Sequence, residues 1–185
     1  MRPVSRVRVA STKVRSATPD EAEKLASLHV TTWQQAYVEL LPNEYLLSLT
    51  PAQRLPMWQQ LLNSPERVAI FVADHEGNPI GFSCGGISND EDAGSSTGEM
   101  WSIYLLREFW SKGIGSDLHD VLLEELKRRG FDEATLWVME SNERTRRWYE
   151  RQGWTTDGSQ KSDELGGATI SEVRYRRPLE VNDDA

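Results

Sequence analysis

Cysteine is nearly missing: Cys84 is the only one in 185 residues. One thiol excludes an intrachain disulfide and any cysteine-based zinc site, and it fits a reducing compartment such as the cytoplasm. Histidine is scarce as well, and His29, His75 and His119 stand at spacings that suggest neither a metal site nor a catalytic triad. No apolar run approaches the ~20 residues that a membrane-spanning helix needs, and the N-terminus lacks the apolar segment of a signal peptide. There is no internal repeat and no linker-like stretch. Nowhere does Gly-Lys-Ser/Thr occur, which argues against a Walker-type nucleotide triphosphatase.

What is present is an acidic, globular composition, 38% hydrophobic and 27% charged. Basic residues number 21 against 29 acidic ones, for a net charge of −8. Arg2, Arg6, Arg8, Lys13 and Arg15 carry +5 within the first 15 residues, leaving the remainder at −13. An acidic body repels phosphate backbones, so nucleic acid is not an expected partner, whereas a cationic substrate is compatible with it. The length suits one domain with its own core, expected over 12–179, between a basic arm (1–11) and an acidic tail (180–185).

Punctuation along the chain is clear. Lys13–Ser16 reads as a short edge strand. Thr18-Pro19-Asp20-Glu21 and Thr50-Pro51-Ala52-Gln53 are capping boxes with proline at the first helical position, each opening an amphipathic helix. Strands are predicted over Val68–Asp74, Ile80–Gly85, Glu99–Leu105 and Ala134–Met139, with two more near Trp154–Thr156 and Ile170–Arg176. Residues 86–98 read as a polar loop whose Asp90-Glu91-Asp92 run faces solvent. Helices are predicted after Gly113-Ile114-Gly115, ending at Gly130, and over Asn142–Gln152, ending at Gly153. On the first of these His119 falls on the exposed side. The alternation predicts an α/β domain.

The stretch 99–154 carries the chemistry. An apolar strand runs into a glycine loop that becomes a helix N-terminus, where unpaired N–H groups and the helix dipole attract an anion. Gly113 and Gly115 allow close approach, because no Cβ intervenes. Each charge-assisted N–H···O bond contributes roughly 1.5–3 kcal/mol, so a few amides can hold a phosphate on an acidic protein. The dinucleotide fingerprint GxGxxG matches in its first two glycines only. Leu118 takes the third place, and Glu140 follows the next strand, which leaves an NAD(P)-binding oxidoreductase as a weaker alternative.

The order Ile103-Tyr104-Leu105, then Trp110-Ser111-Lys112-Gly113-Ile114-Gly115, a helix, a strand, and Asn142 through Tyr149-Glu150-Arg151-Gln152-Gly153-Trp154 resembles the GNAT superfamily of acyl-CoA-dependent N-acetyltransferases. The likeness runs from about residue 13 to 178. Trp110 stands where that family usually has Gln or Arg, and Trp154 where it has Phe. The resemblance implies a mixed, mostly antiparallel (α+β) sheet flanked by helices on both faces, acetyl-CoA as co-substrate, an amine acceptor, and no metal. Direct transfer through a ternary complex is expected, since no plausible acyl-accepting nucleophile accompanies the motif, and the resemblance admits a homodimer. Cofactor contacts are implied for Ile103, Tyr104 and Leu105 of the strand, for the loop from Trp110 to Ser116, and for Asn142. An acyl-CoA-binding sensor without catalysis is the second alternative.

Transfer to an amine sets further demands. A lysine of pKa ~10.4 is neutral at pH 7 in only about one molecule in 2,500, a deficit of roughly 4.6 kcal/mol, so a proton acceptor helps. By the resemblance Glu99 matches a common position for that acid, although a strand-end glutamate after a polar loop needs no role. Tyr149 matches the proton donor to the leaving thiolate, against the alternative of core packing. Trp33 and Tyr37, and with them Trp101, lie where the family lines its acceptor pocket; core packing is again the competing explanation. His29 reads as a core histidine and Cys84 as a buried thiol.

Overall fold

The computed structural model describes residues 12–179; the expected N-terminal arm and acidic tail lie outside the described residues. Chain order is β1 (Thr12–Ser16), α1 (Ala22–Ala36), α2 (Asn43–Ser48), α3 (Pro51–Leu62), β2 (Val68–His75), β3 (Asn78–Ile87), β4 (Thr97–Leu105), α4 (Ile114–Arg128), β5 (Glu133–Met139), α5 (Glu143–Arg151), β6 (Thr155–Leu165) and β7 (Ala168–Pro178). Both capping boxes form. They start α1 through a short 3-10 turn and α3 directly, fixing where each chain segment turns onto the sheet.

The strands make one seven-stranded sheet in the order β1-β2-β3-β4-β5-β7-β6. Every neighbouring pair is antiparallel except β4 and β5. Because β4 and β5 are joined through α4, they are obliged to run parallel, as a crossover unit. Helices α1 and α3 cover one face, packing Leu25, Trp58 and Leu62 on Val68, Val72 and Phe82. Helices α4 and α5 cover the other, with Leu122, Leu126 and Tyr149 against Leu136, Trp154 and Tyr175. Leu118, Leu122 and Leu126 are wholly buried, each contributing roughly 1.5–3 kcal/mol by removal from water.

Two irregularities make the site. Strands β4 and β5 pair only from Thr97 to Glu99 against Glu133 to Thr135, and then part. Just there β4 carries a bulge: Cys84 faces Ser102 and Gly85 faces Met100, so Trp101 is the extra residue. Gly85 is required at this point, since a Cβ would collide with the Glu99 carbonyl. The splay leaves main-chain groups of β4 beyond Glu99 unpaired on their β5 side.

Three sequence expectations need correction. The late strands are eleven residues each, 155–165 and 168–178, not short segments. The composition of β6 is polar up to Leu165 at its end, so no alternation announced it; its pairing with β7 creates it. The turn is Gly166-Gly167, both at positive φ (60° and 80°), a two-residue hairpin signal. His119 is fully buried, not exposed, because its Nε2 accepts the indole N–H of buried Trp154 at 2.9 Å. Asp90 and Asp92 are not simply solvated. They pair with Arg174 at 3.1 and 2.6 Å, a side chain only 5% exposed that also donates to Asp157 and Ser159.

Candidate active site

The cleft opened by the splay is a cavity of about 1070 Å³. Its walls come from the end of α1, from β4 between Met100 and Leu105, from the loop entering α4, from the end of β5, from α5, and from the inner face of the β6–β7 hairpin. Nearly all the expected site residues meet there. Ile103, Tyr104 and Leu105 line it from β4, Trp110, Ser111, Lys112, Gly113, Gly115 and Ser116 from the loop, Asn142 and Tyr149 from α5, and Trp33, Tyr37 and Trp101 from the opposite side. Ile114 points the other way, buried with Ala73, Ile80 and Leu118.

The loop owes its shape to Gly113, which caps α4 in the left-handed region at φ 87°. Among the described residues the amides of Gly113, Ile114 and Gly115 have no intramolecular acceptor, whereas that of Ser116 already bonds the Gly113 carbonyl at 2.9 Å. A Cβ on Gly115 would meet nothing nearer than Trp148 at 3.9 Å. The protein itself would therefore accept alanine there, and the bare Cα leaves open a cradle beside three free N–H groups. Leu118, in place of a third glycine, is packed in the core. With a largely antiparallel sheet around it, the loop is not that of a dinucleotide fold.

Tyr149 is 6% exposed, with its ring beside Trp148, Trp154 and Tyr175. Its hydroxyl has no hydrogen-bond partner among the described residues, and burial pushes its pKa upward. It is therefore held protonated, facing the cavity. Asn142 caps α5, its Oδ1 accepting the Thr145 N–H at 3.2 Å. The Tyr37 and Tyr104 hydroxyls bond each other at 2.8 Å.

Glu99, like Ile114, is set apart from the cavity. Its carboxylate accepts the Asn89 N–H at 3.2 Å and the Ser88 hydroxyl at 3.4 Å, in a smaller recess shared with Asp90, Lys161 and Arg174. Trp137 lines both recess and cavity. Burial raises the Glu99 pKa, partly offset by the Asn89 N–H.

Sequence reading missed the hairpin's share. Asp163, Leu165, Ile170 and Glu172 line the cavity, and their two-residue spacing on paired strands puts them on one face. The cavity is thereby divided in charge. Lys112, Arg144 and Arg151 project from the loop and α5, and Asp163 and Glu172 from the hairpin, where Lys161 stands 3.4 Å from Glu172. Beneath the aromatic wall His29 is buried against Trp33, Trp58, Phe82 and Tyr104. Neither of its ring nitrogens has a partner among the described residues, and burial, with the nearby Arg54 charge, lowers its pKa to about 3.

Residues 26–154 match the Acetyltransferase (GNAT) family. An uncharacterized N-acetyltransferase of Bacillus subtilis, YuaI, is 34% identical over 70% of this chain and 72% of its own length. A relative from Mycobacterium tuberculosis is 26% identical over 89% of this chain and 92% of its own. The fold is similar to that of the PaiA N-acetyltransferase of Thermoplasma acidophilum in complex with coenzyme A, at TM-score 0.73 and 21% identity over 91% and 99% of the two chains. It is also similar to yncA of Salmonella typhimurium with its cofactor acetyl-CoA, at TM-score 0.68 and 17% identity over 95% and 97%.

Proposed function

Since the chain belongs to the GNAT acetyltransferase family and is an N-acetyltransferase, we propose that this cavity binds acetyl-CoA and passes the acetyl group directly to a cationic primary amine. The observation that carries the reading is one continuous cavity lined by Gly113 and Gly115, whose amides are free, by Tyr149 with its protonated hydroxyl, and by the unpaired edge of β4. Bound acetyl-CoA supplies an activated acetyl group as a thioester.

The chain's own residues do the rest. The glycine loop and Lys112 take phosphate, with the open face of Gly115 admitting it against the backbone. Main-chain groups of Ile103 to Leu105, released by the splay, align the donor's arm along β4. Tyr149, poised as a proton donor, protonates the departing sulfur. On the other side Glu172 and Asp163 attract the ammonium form of the acceptor, and the amine must shed one proton before attack. Glu99, with its raised pKa, receives that proton from its recess behind Trp137. Residues 12–179 act in this reading as one catalytic domain. The single Cys84 is buried and its thiol pKa pushed up to about 11 by that burial. It takes no acyl group, which leaves direct transfer in a ternary complex and suits work in a reducing cytoplasm.

The test is thermal stabilisation by acetyl-CoA and by NADH, followed by thiol release with a panel of amines. Acetyl-CoA at about 100 times its Kd stabilises by ~2.7 kcal/mol; NADH gives no shift. Stabilisation without thiol release from any amine would leave only donor binding, and stabilisation by NADH alone would refute the reading.

A further inference from the structure

We infer that Arg144, laid against the indole of Trp110, is a phosphate-binding residue of the donor site. The inference rests on the acyl-CoA reading above. The guanidinium carbon of Arg144 stands 3.9 Å from the centre of the Trp110 ring, and both side chains line the cavity. Trp110 is a fixed platform: its Nε1 donates to the Leu105 carbonyl at 2.7 Å.

The position of Arg144 is otherwise unfavourable. It lies in the first turn of α5, where the helix dipole opposes a positive charge. Its neighbours on that helix are satisfied: Arg147 pairs with Glu143 at 2.7 Å, and Arg146 donates to the Tyr175 hydroxyl and the Glu140 carbonyl. Arg144 has no carboxylate partner among the described residues, only the ring of Trp110. An unpaired cation set against a dipole, held by stacking beside three free amides and Lys112, is complementary to an anion with more than one charge. The planar guanidinium keeps its donor edge open while its face rests on the indole. Coenzyme A offers two such groups, the pyrophosphate and the 3′-phosphate.

Calorimetric binding of coenzyme A, 3′-dephospho-coenzyme A and pantetheine to wild type, Arg144→Gln, Trp110→Leu and the double variant tests the inference. Arg144→Gln is expected to weaken coenzyme A about tenfold, to flatten the salt dependence of Kd, and to leave pantetheine binding and the melting temperature of the free protein unchanged. Trp110→Leu is expected to reproduce most of that loss, with little more in the double variant. If Arg144→Gln also weakens 3′-dephospho-coenzyme A, the arginine meets the pyrophosphate. If it binds that compound as wild type does, the arginine meets the 3′-phosphate. Equal affinity of wild type and Arg144→Gln for coenzyme A, with equal salt dependence, would overturn the inference alone. Failure of wild type to bind coenzyme A would overturn the donor reading with it.

Discussion

The two ends of the cleft are built of different materials. At the donor end the contacts on offer are largely main chain: three free amides after Gly113 and the unpaired edge of β4. Their positions follow from the path of the backbone, so Trp110 can replace a polar side chain without dismantling the cradle. At the acceptor end the offered groups are side chains drawn from the end of α1, from β5 and from the hairpin. The hairpin is braced by a cluster around Arg174, whose guanidinium ties the 88–96 loop to the β6 bulge. The two ends are nevertheless tied to one another, through Arg107, which donates to Gln35 of α1, and through Tyr175 of β7, which bonds Arg146 and Glu150 of α5.

The largest effect that separates the ends is expected from Arg174→Ala. Removing a guanidinium that is 5% exposed leaves Asp90, 13% exposed, without its cation, while Asp157 and Asp92 keep Arg176, which destabilises by about 3 kcal/mol in urea unfolding. Coenzyme A affinity of the folded fraction should survive, and the KM of the amine should rise. A loss below about 1 kcal/mol would show that solvent does the work assigned to Arg174. Next comes Tyr149→Phe, for which kcat should fall about 100-fold while the Kd for coenzyme A stays within about twofold. Unchanged turnover would remove Tyr149 from the chemistry.

The aromatic floor beneath the acceptor end titrates. Folded His29 refuses, down to about pH 3, a proton that the unfolded chain takes up near 6.5. Acid therefore favours unfolding, and stability from this group falls by about 2 kcal/mol between pH 7 and pH 5. His119, also lowered by burial, adds in the same direction. His29→Leu should flatten that part of the profile, and a parallel loss in the variant would clear His29. The smallest effects concern the carboxylates. Glu172→Gln should raise the KM of a cationic amine about tenfold, or ~1.4 kcal/mol, with the pH dependence of kcat intact. Glu99→Gln should change that pH dependence and not the KM. The reverse outcome would exchange their roles.

Legibility in the sequence follows the same division. The capping boxes at Thr18 and Thr50, the loop at Gly113 and the stop at Gly130 are local devices, decided by residues within one turn, and each forms where expected. Asn142 and Tyr149, singled out by the motif resemblance, both line the cavity. The hairpin was not, since β6 has no apolar alternation and its partner lies across a Gly-Gly turn. Burial of His119 depended on Trp154, 35 residues away. The role of Asp90 and Asp92 depended on Arg174, more than 80 residues away.

By itself the sequence determined the order of elements and the glycine loop that opens α4, because helix starts, glycine turns and motif spacing are short-range properties of the chain. Only the tertiary structure decided that β4 and β5 part after three paired residues, that Trp101 is bulged, that Glu99 stands behind Trp137, and that Asp163 and Glu172 line the cavity. Those are outcomes of strand register and of packing between distant segments, and no local pattern encodes either.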